Sequence, residues 1–312
     1  MPGTVRLIVN PSAGGGKAAR VAPLAEAALR ARGIHVVRDD TRDLGHAREL
    51  ARDAAAAGET VVTVSGDGLI GVVADELRHI PGARLGIVPG GRGNDLARVL
   101  GIPEDPTAAA AVIADGNARP VDLGLVQDAA GKQAFVGIAS VGFDSDANRI
   151  ANEAPSWLGG LVYAYGALRA LAAWRPARFE IELDPPGERH VLLGYSVGAA
   201  NSKAYGGGMK AAPGAMLDDG LLDVVVLEST GKLAFLTRIL PKVFSGAHVK
   251  EPCVRSFRAH RISVSSDRPF TMYADGDPIG QLPLTVQALP GAVTMLVPVR
   301  QPADSAFSPA GP

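Results

Sequence analysis

Residues Thr60 to Ser65 form a run rich in β-branched side chains that ends in Gly66-Asp67-Gly68-Leu69-Ile70-Gly71 and continues as a helix-like stretch to Ile80. A strand, a glycine turn and a helix start in that order present backbone N–H groups that can approach phosphate, so a nucleotide is the first ligand to consider. By spacing alone the turn is a complete GxGxxG. Two features count against a dinucleotide. That fingerprint follows the first strand of its unit and has an acid at the end of the next strand to hold ribose; here the next strand ends in Pro89-Gly90-Gly91. Asp67 would also set a carboxylate against a pyrophosphate unless a metal intervened, and an acid in a phosphate loop suggests Mg²⁺.

Two more glycine turns follow strand-like runs: Asn10-Pro11-Ser12-Ala13-Gly14-Gly15-Gly16-Lys17, and Pro89-Gly90-Gly91-Arg92-Gly93-Asn94-Asp95. The first is not a Walker A loop, because Pro11 stands where the first glycine is needed and Ala18 replaces the Mg²⁺-binding Ser/Thr. Three such turns at the carboxyl edge of one sheet converge on one crevice. Around them, strands near 4–10, 34–38, 60–65 and 84–88 alternate with helices near 17–32, 46–57, 69–80 and 93–100, a pattern that predicts an α/β domain with a mostly parallel sheet over residues 1–120. In the first helix Val21, Leu24, Ala25, Ala28 and Leu29 are expected on the covering face, and Gly33 stops it.

After Pro120 the pattern becomes β-type, with runs at 135–140, 179–183, 191–199, 222–227, 261–264, 270–273, 284–288 and 293–297 broken by Gly/Pro turns. They predict an antiparallel β-sandwich over 121–300 with inserted helices at 157–174 and near 231–241. The Pro-, Ala- and Ser-rich segment 301–312 is expected to be disordered.

With 312 residues, 47% of them apolar, one or two ordinary cores can form. A formal charge of −1 without a basic cluster argues against a nucleic-acid partner. The single Cys253 excludes an intrachain disulfide framework and a multi-cysteine zinc site. No secretion signal is visible before Thr4, so a cytoplasmic protein is expected. Trp157 to Trp174 carries one charge, Arg169, but three glycines dilute it, and it reads as a buried or interfacial helix, with no transmembrane segment expected.

The ordered set VNPSAGGGK at 9–17, SGDGL at 65–69, PGGRGNDLAR at 89–98, SVGFDSD at 140–146, APGAMLDDGLLDVVV at 212–226 and ADGD at 274–277 resembles the diacylglycerol kinase catalytic domain family, which includes bacterial lipid kinases and sphingosine kinases. The resemblance spans nearly the whole chain. It implies an NAD kinase-like α/β nucleotide domain joined to a C-terminal β-sandwich, with the active site in the cleft between them. It implies ATP contacts at Asn10, Pro11, Ser12, Ala13, Gly14, Thr41, Gly66, Asp67, Gly68, Leu69, Ile70, Gly71 and Arg92. Asp67 matches an acid that orients Mg²⁺-bound phosphates, and Asp95 an acid supporting a metal and water network. Asp219, with the carbonyls of Met216 and Leu221, matches a structural Mg²⁺ site. Asp277 matches the general base toward the lipid hydroxyl, with Asp275 beside it.

The residues read by themselves agree, since phosphoryl transfer needs held phosphates, a cation and an acceptor-side carboxylate. Taken singly, Asp275-Gly276-Asp277 is also an Asp-Gly hairpin turn, and Asp218-Asp219 a solvated turn. The chain departs from the family at several points. The commoner GGDGTxNE is SGDGLIGV here, so Leu69 removes a hydroxyl while Gly71 and Val72 replace a polar and an acidic residue. Arg92 stands where Thr or Ser is usual, able to meet phosphate or to pair with Asp95, and Asp277 is one methylene shorter than the usual Glu.

The expected function is an ATP- and Mg²⁺-dependent kinase for the hydroxyl of diacylglycerol or a similar long-chain lipid, transiently and peripherally associated with the inner membrane face, with a homodimer as one assembly this allows. The alternatives are an NAD kinase-like enzyme for a soluble substrate and a catalytically weakened nucleotide- or lipid-binding protein.

Overall fold

The four apolar runs expected before residue 90 form parallel strands β1 (Thr4–Val9), β2 (His35–Asp40), β3 (Thr60–Ser65) and β4 (Arg84–Pro89), ordered β2-β1-β3-β4. The computed structural model describes residues 3–154, 162–184, 187–302 and 304–308. Its chain divides into two compact units, one of Met1–Leu123, Leu217–Asp219 and Pro290–Pro312, the other of Gly124–Met216 and Gly220–Leu289.

In the first unit the pairings Leu7↔Arg38, Leu7↔Val62 and Thr63↔Ile87 set the register. Strand β3 is buried at every residue, as a strand covered on both faces requires. Helices α1 (Ala13–Arg30), α2 (Leu44–Ala56), α3 (Asp67–Leu77), α4 (Asp95–Val99) and α5 (Pro106–Asp115) follow the strands. In α1, Gly14, Gly15 and Gly16 hold φ of 60°, 65° and 88°, so regular helix starts at Lys17. The buried face of α1 is Ala18, Ala22, Ala25, Ala28 and Leu29, whereas Leu24, expected on it, is 54% exposed because it lies about a third of a turn off the 18-22-25-29 stripe.

Helix α5 was not expected. Its start was legible: Asp105 Oδ1 accepts the Ala108 N–H at 2.8 Å and Pro106 occupies the first helical position. The terminal segment also departs from expectation. The Leu217 N–H donates to Ala306 O at 2.7 Å, Ala306 and Phe307 are buried, and the Arg119 guanidinium lies 4.0 Å from the Phe307 ring centroid, so residues 304–308 are ordered by packing where disorder is predicted.

The second unit is antiparallel. It contains β5 (Asn117–Gln127) from Gly124 onward, β6 (Lys132–Phe135), β7 (Ile138–Gly142), α6 (Phe143–Glu153), α7 (Val162–Ala173), β8 (Ala177–Asp184), β9 (Glu188–Ala200), β10 (Leu222–Glu228), β11 (Val254–Ala259), β12 (Arg261–Ser266), β13 (Thr271–Ala274) and β14 (Asp277–Gln281). Strand β15 (Leu284–Val297) contributes its first residues to this unit, pairing Val286 with Ile262, while Thr294 and Met295 pair in parallel with β4 in the first. Two strands broken at Pro290-Gly291 are predicted there; the chain instead runs through, with Gly291 at φ 59° and its N–H donated to Asp122 Oδ1 at 2.7 Å.

The long strand β9 organises the second unit, since Ser196–Ala200 pair with β7, Glu188–Gly194 with β8, and the opposite edge with β10. Inward residues such as Phe179, Ile181, Val197, Val224, Ile262 and Met272 make one core, each apolar side chain of that size contributing about 1.5–3 kcal/mol by burial. A second cluster joins Phe143 on α6, Leu171 on α7, Trp174, Tyr195, Phe235 and Ile239, with Phe143 and Phe235 edge-to-face at 4.9 Å. Residues 157–161 of the helix predicted over 157–174 lie outside the described residues. Among the described residues no helix is long and apolar enough to cross a membrane.

Candidate functional site

In the first unit the strand order reverses between β1 and β3, and the turns after β1, β3 and β4 leave the carboxyl ends of neighbouring strands, where ligands of open α/β sheets bind. They touch backbone to backbone. A methyl group on Gly14 would lie 2.5 Å from Gly90 O, one on Gly90 2.9 Å from Ala18 Cβ, and one on Gly91 2.4 Å from Gly66 Cα. Hydrogen bonds add to the lock: Asn10 N–H donates to Val64 O at 3.2 Å, Gly90 N–H to Ser65 O at 2.8 Å and Thr41 N–H to Val9 O at 2.7 Å. Within the first turn Asn10 Oδ1 accepts from Ser12 N at 3.2 Å and Ser12 Oγ at 2.8 Å.

Asn94, within the third turn, carries no role expected from the sequence. It is 3% exposed, adopts φ 51°, accepts the Gly91 N–H at 2.8 Å and donates to Gly91 O at 3.1 Å, closing the third turn. The signal was available, because Asn is among the residues that tolerate left-handed backbone and bond their own turn.

The Asp67 carboxylate, assigned from the sequence to metal-bound phosphate, reaches across to α4. Its Oδ2 accepts the Asp95 N–H at 3.1 Å and its Oδ1 the Leu96 N–H at 3.0 Å. Burial raises this carboxyl above its ordinary value; the Leu96 N–H pulls the other way, and the neighbouring Asp95 adds to the rise. Asp95 is 6% exposed and paired with Arg98 Nη1 at 2.5 Å, while Arg98 also donates to Gly93 O at 2.9 Å. Arg98, and not Arg92, is therefore the cation on Asp95; Arg92 is exposed. Leu69, Ile70, Gly71 and Val72 are buried in α3, so what the Gly66–Gly71 segment can offer a phosphate is the backbone of a helix N-terminus, whose Gly66 cap carries no side chain.

Asp67 and Asp95 form a hard oxygen-donor set. A methyl group on Gly93 would lie 3.1 Å from Asp95 Oδ2 and 3.5 Å from Asp67 Oδ2, so both carboxylates border the same glycine. That chemistry suits Mg²⁺, which takes one or two carboxylates together with phosphate oxygens and water. Asp218, beside the proposed ligand Asp219, is held by Arg119 Nη2 at 3.0 Å and by the Ser308 N–H at 2.7 Å. Asp219 belongs to the first unit, and Met216 and Leu221 to the second. Among the described residues no group of three or more His, Cys, Asp or Glu side chains is placed to hold a metal by itself.

In the second unit Asp275 and Gly276 have φ of 52° and 100°, the two left-handed residues of a tight hairpin that pairs Ala274 with Asp277. Asp275 Oδ2 accepts the Val136 N–H at 2.8 Å and Oδ1 the Gly137 N–H at 2.9 Å. Asn201 completes this brace, its Nδ2 donating to Val136 O at 2.8 Å and its N–H to Gly137 O at 3.0 Å. Asp277 points its surface to solvent, yet the surrounding protein desolvates its carboxyl enough to raise it. A further acid had no assigned role: Asp144, in the first turn of α6, receives the Ser196 and Tyr205 hydroxyls and is pushed up to about 6 by burial.

The fold is that of a two-unit protein, an NAD kinase-like α/β unit with a mostly parallel sheet and an antiparallel β-sandwich unit with inserted helices. Residues 4–126 match the diacylglycerol kinase catalytic domain, and residues 137–297 the YegS C-terminal NAD kinase beta sandwich-like domain. A diacylglycerol kinase of Mycobacterium tuberculosis is 36% identical over 301 residues, 95% of this chain and 96% of that one. A probable lipid kinase YegS-like protein of Pseudomonas fluorescens is 32% identical over 265 residues, 84% and 85% of the two chains. The crystal structure of a diacylglycerol kinase from Bacillus anthracis superposes with a TM-score of 0.73 over 95% of this chain and 97% of that one at 23% identity, which speaks to fold. The chain belongs to the diacylglycerol kinase catalytic domain family.

Proposed function

We propose that this protein transfers the γ-phosphoryl group of ATP, with Mg²⁺, to the hydroxyl of diacylglycerol or a similar long-chain lipid. The observation that carries the reading is the interlock of Gly14 on Gly90 and Gly66 on Gly91, which strips three strand ends of side chains and leaves backbone N–H groups and a helix N-terminus for phosphates. Asn10 to Gly14, Thr41 and Gly66 to Gly71 would line the nucleotide, and the exposed Arg92 adds donors for phosphate oxygens. Asp67 and Asp95 would hold Mg²⁺, which would supply positive charge to offset that of the phosphates; Asp219, with the carbonyls of Met216 and Leu221, is the proposed structural Mg²⁺ site.

Asp277 is the proposed general base, its raised carboxyl better matched to a hydroxyl proton than an ordinary aspartate. Asp275 then acts by fixing the hairpin from which Asp277 projects. Acyl chains would gain about 0.8 kcal/mol per buried CH₂ against apolar surface of the second unit. Access to such a substrate implies a cytoplasmic protein meeting the inner membrane face transiently.

The test is incubation with γ-labelled ATP and a lipid extract, with NAD in parallel. Label in a lipid supports the reading, and label in NAD alone overturns it. ATP binding without product across a broad lipid panel would favour a nucleotide-binding protein.

A further inference from the structure

A cleft of about 270 Å³ opens in the second unit beside the end of α7. Its lining includes four arginines, Arg149 on α6, Arg169 on α7, Arg175 after it and Arg268 before β13, against one acid, Asp146. Arg149 also meets Glu153 at 3.2 Å, leaving the lining with an excess of positive charge. Its aromatic wall is Trp174 and Phe270. The Arg268 guanidinium stacks 5.3 Å from the Trp174 centroid and 5.0 Å from that of Phe270, and one of its N–H groups donates to Arg175 O at 2.5 Å. Stacking fixes the guanidinium plane, and the remaining edge donors stay in that plane. Arg169 donates to the Tyr165 hydroxyl at 3.1 Å.

Clustered like charges in a partly desolvated cleft are costly. A ligand that relieves this cost is an anion with several acceptor oxygens. The aromatic wall and the adjoining Ala170, Ala173 and Ile150 add a surface for an apolar body.

We propose that this cleft binds a phosphate monoester carrying an apolar body. Phosphate fits better than carboxylate, because its dianion answers more of the excess charge and its oxygens can accept from more than one guanidinium fork. The source is either a lipid phosphate or a soluble phosphate ester. Because its test reads binding, the proposal stands or falls apart from phosphoryl transfer.

The chain has two tryptophans, so Trp157→Phe leaves Trp174 as the only indole reporter. The full chain with that substitution is titrated with dihexanoyl phosphatidic acid below its micelle concentration, by emission and by calorimetry. Saturable binding is expected, weakened about tenfold by Arg268→Met and by a similar order in Arg169→Gln, as loss of a charged hydrogen bond predicts. Displacement by inorganic phosphate supports a soluble source, and binding of the lipid phosphate without such displacement supports a lipid source. The absence of saturable binding overturns the proposal, as does equal affinity for dihexanoylglycerol or adsorption only to phosphatidylglycerol vesicles. Should Arg268→Met fail to fold, Arg169→Gln, on an exposed position of α7, decides the matter, and unchanged affinity there overturns it.

Discussion

Asp67 caps the helix that begins at Asp95: its Oδ2 accepts the Asp95 N–H at 3.1 Å, and its Oδ1 the next N–H, of Leu96, at 3.0 Å. The partners lie 28 residues apart, so one carboxylate ties the turn after β3 to the turn after β4.

Asp67→Ala is therefore expected to cost stability as well as transfer. Removing a helix-capping acceptor costs on the order of 1 kcal/mol, and the fold alone would predict little change if the carboxylate served only a metal. Asp67→Asn keeps one acceptor oxygen but sets its NH2 donor against the other backbone N–H, so it should recover only part of the stability while transfer stays low. Chemical denaturation beside a labelled-phosphate assay separates the effects; full stability in Asp67→Ala would remove the cap.

Gly91→Ala should disrupt nucleotide binding, because its methyl group would stand 2.4 Å from Gly66 Cα. Overpacking of this kind costs about 1–3 kcal/mol and would push two turns apart. Gly15→Ala meets open space and only the left-handed φ of 65°, a penalty of about 1 kcal/mol. Calorimetric titration with ATP should show the larger loss in Gly91→Ala, and the reverse order would contradict the interlock.

Within the Asp275-Gly276-Asp277 hairpin the two acids should separate. Asp275→Ala leaves the Val136 and Gly137 N–H groups without their acceptor and is expected to lower stability by about 1–3 kcal/mol. Asp277→Asn should leave the melting curve and the ATP affinity in place while lowering turnover at least tenfold. Unchanged turnover in Asp277→Asn would remove it as the base.

Asp144 predicts a pH signature. Its carboxyl is raised from 3.8 to about 6 in the folded chain, so folding favours the protonated form. The resulting stabilisation is complete below the unfolded value and is lost as pH rises through about 6. Between pH 7 and pH 5 the wild type should gain about 1 kcal/mol relative to Asp144→Asn, which cannot titrate. Parallel unfolding curves without that crossover would show that the site does not couple protonation to folding.

Much of this was legible locally. The β1, β3 and β4 runs announce themselves by apolar, largely β-branched composition, and the glycine turns by residues that left-handed or crowded backbone demands. Missed elements had weaker or competing signals: α5 hides its cap in an Asp-Pro step before an alanine run, Pro290-Gly291 reads as a chain break although Asp122 carries the strand through it, and the terminal residues look disordered until Phe307 meets Arg119. Leu24 looked like core because five apolar residues crowd one helix, and alanines took the buried stripe instead.

By itself the amino-acid sequence determined the two kinds of unit, the three phosphate-type turns and the acids at their ends, because periodicity, glycine and carboxylate placement are properties of neighbouring residues. Only the tertiary structure decided what those groups touch: Gly14 on Gly90, Gly66 on Gly91, Asp67 on α4, Arg98 in place of Arg92 on Asp95, and Asp275 on Gly137. Such contacts depend on strand order and on backbones brought within hydrogen-bond reach across tens of residues, and local chemistry sets only which groups are able to make them.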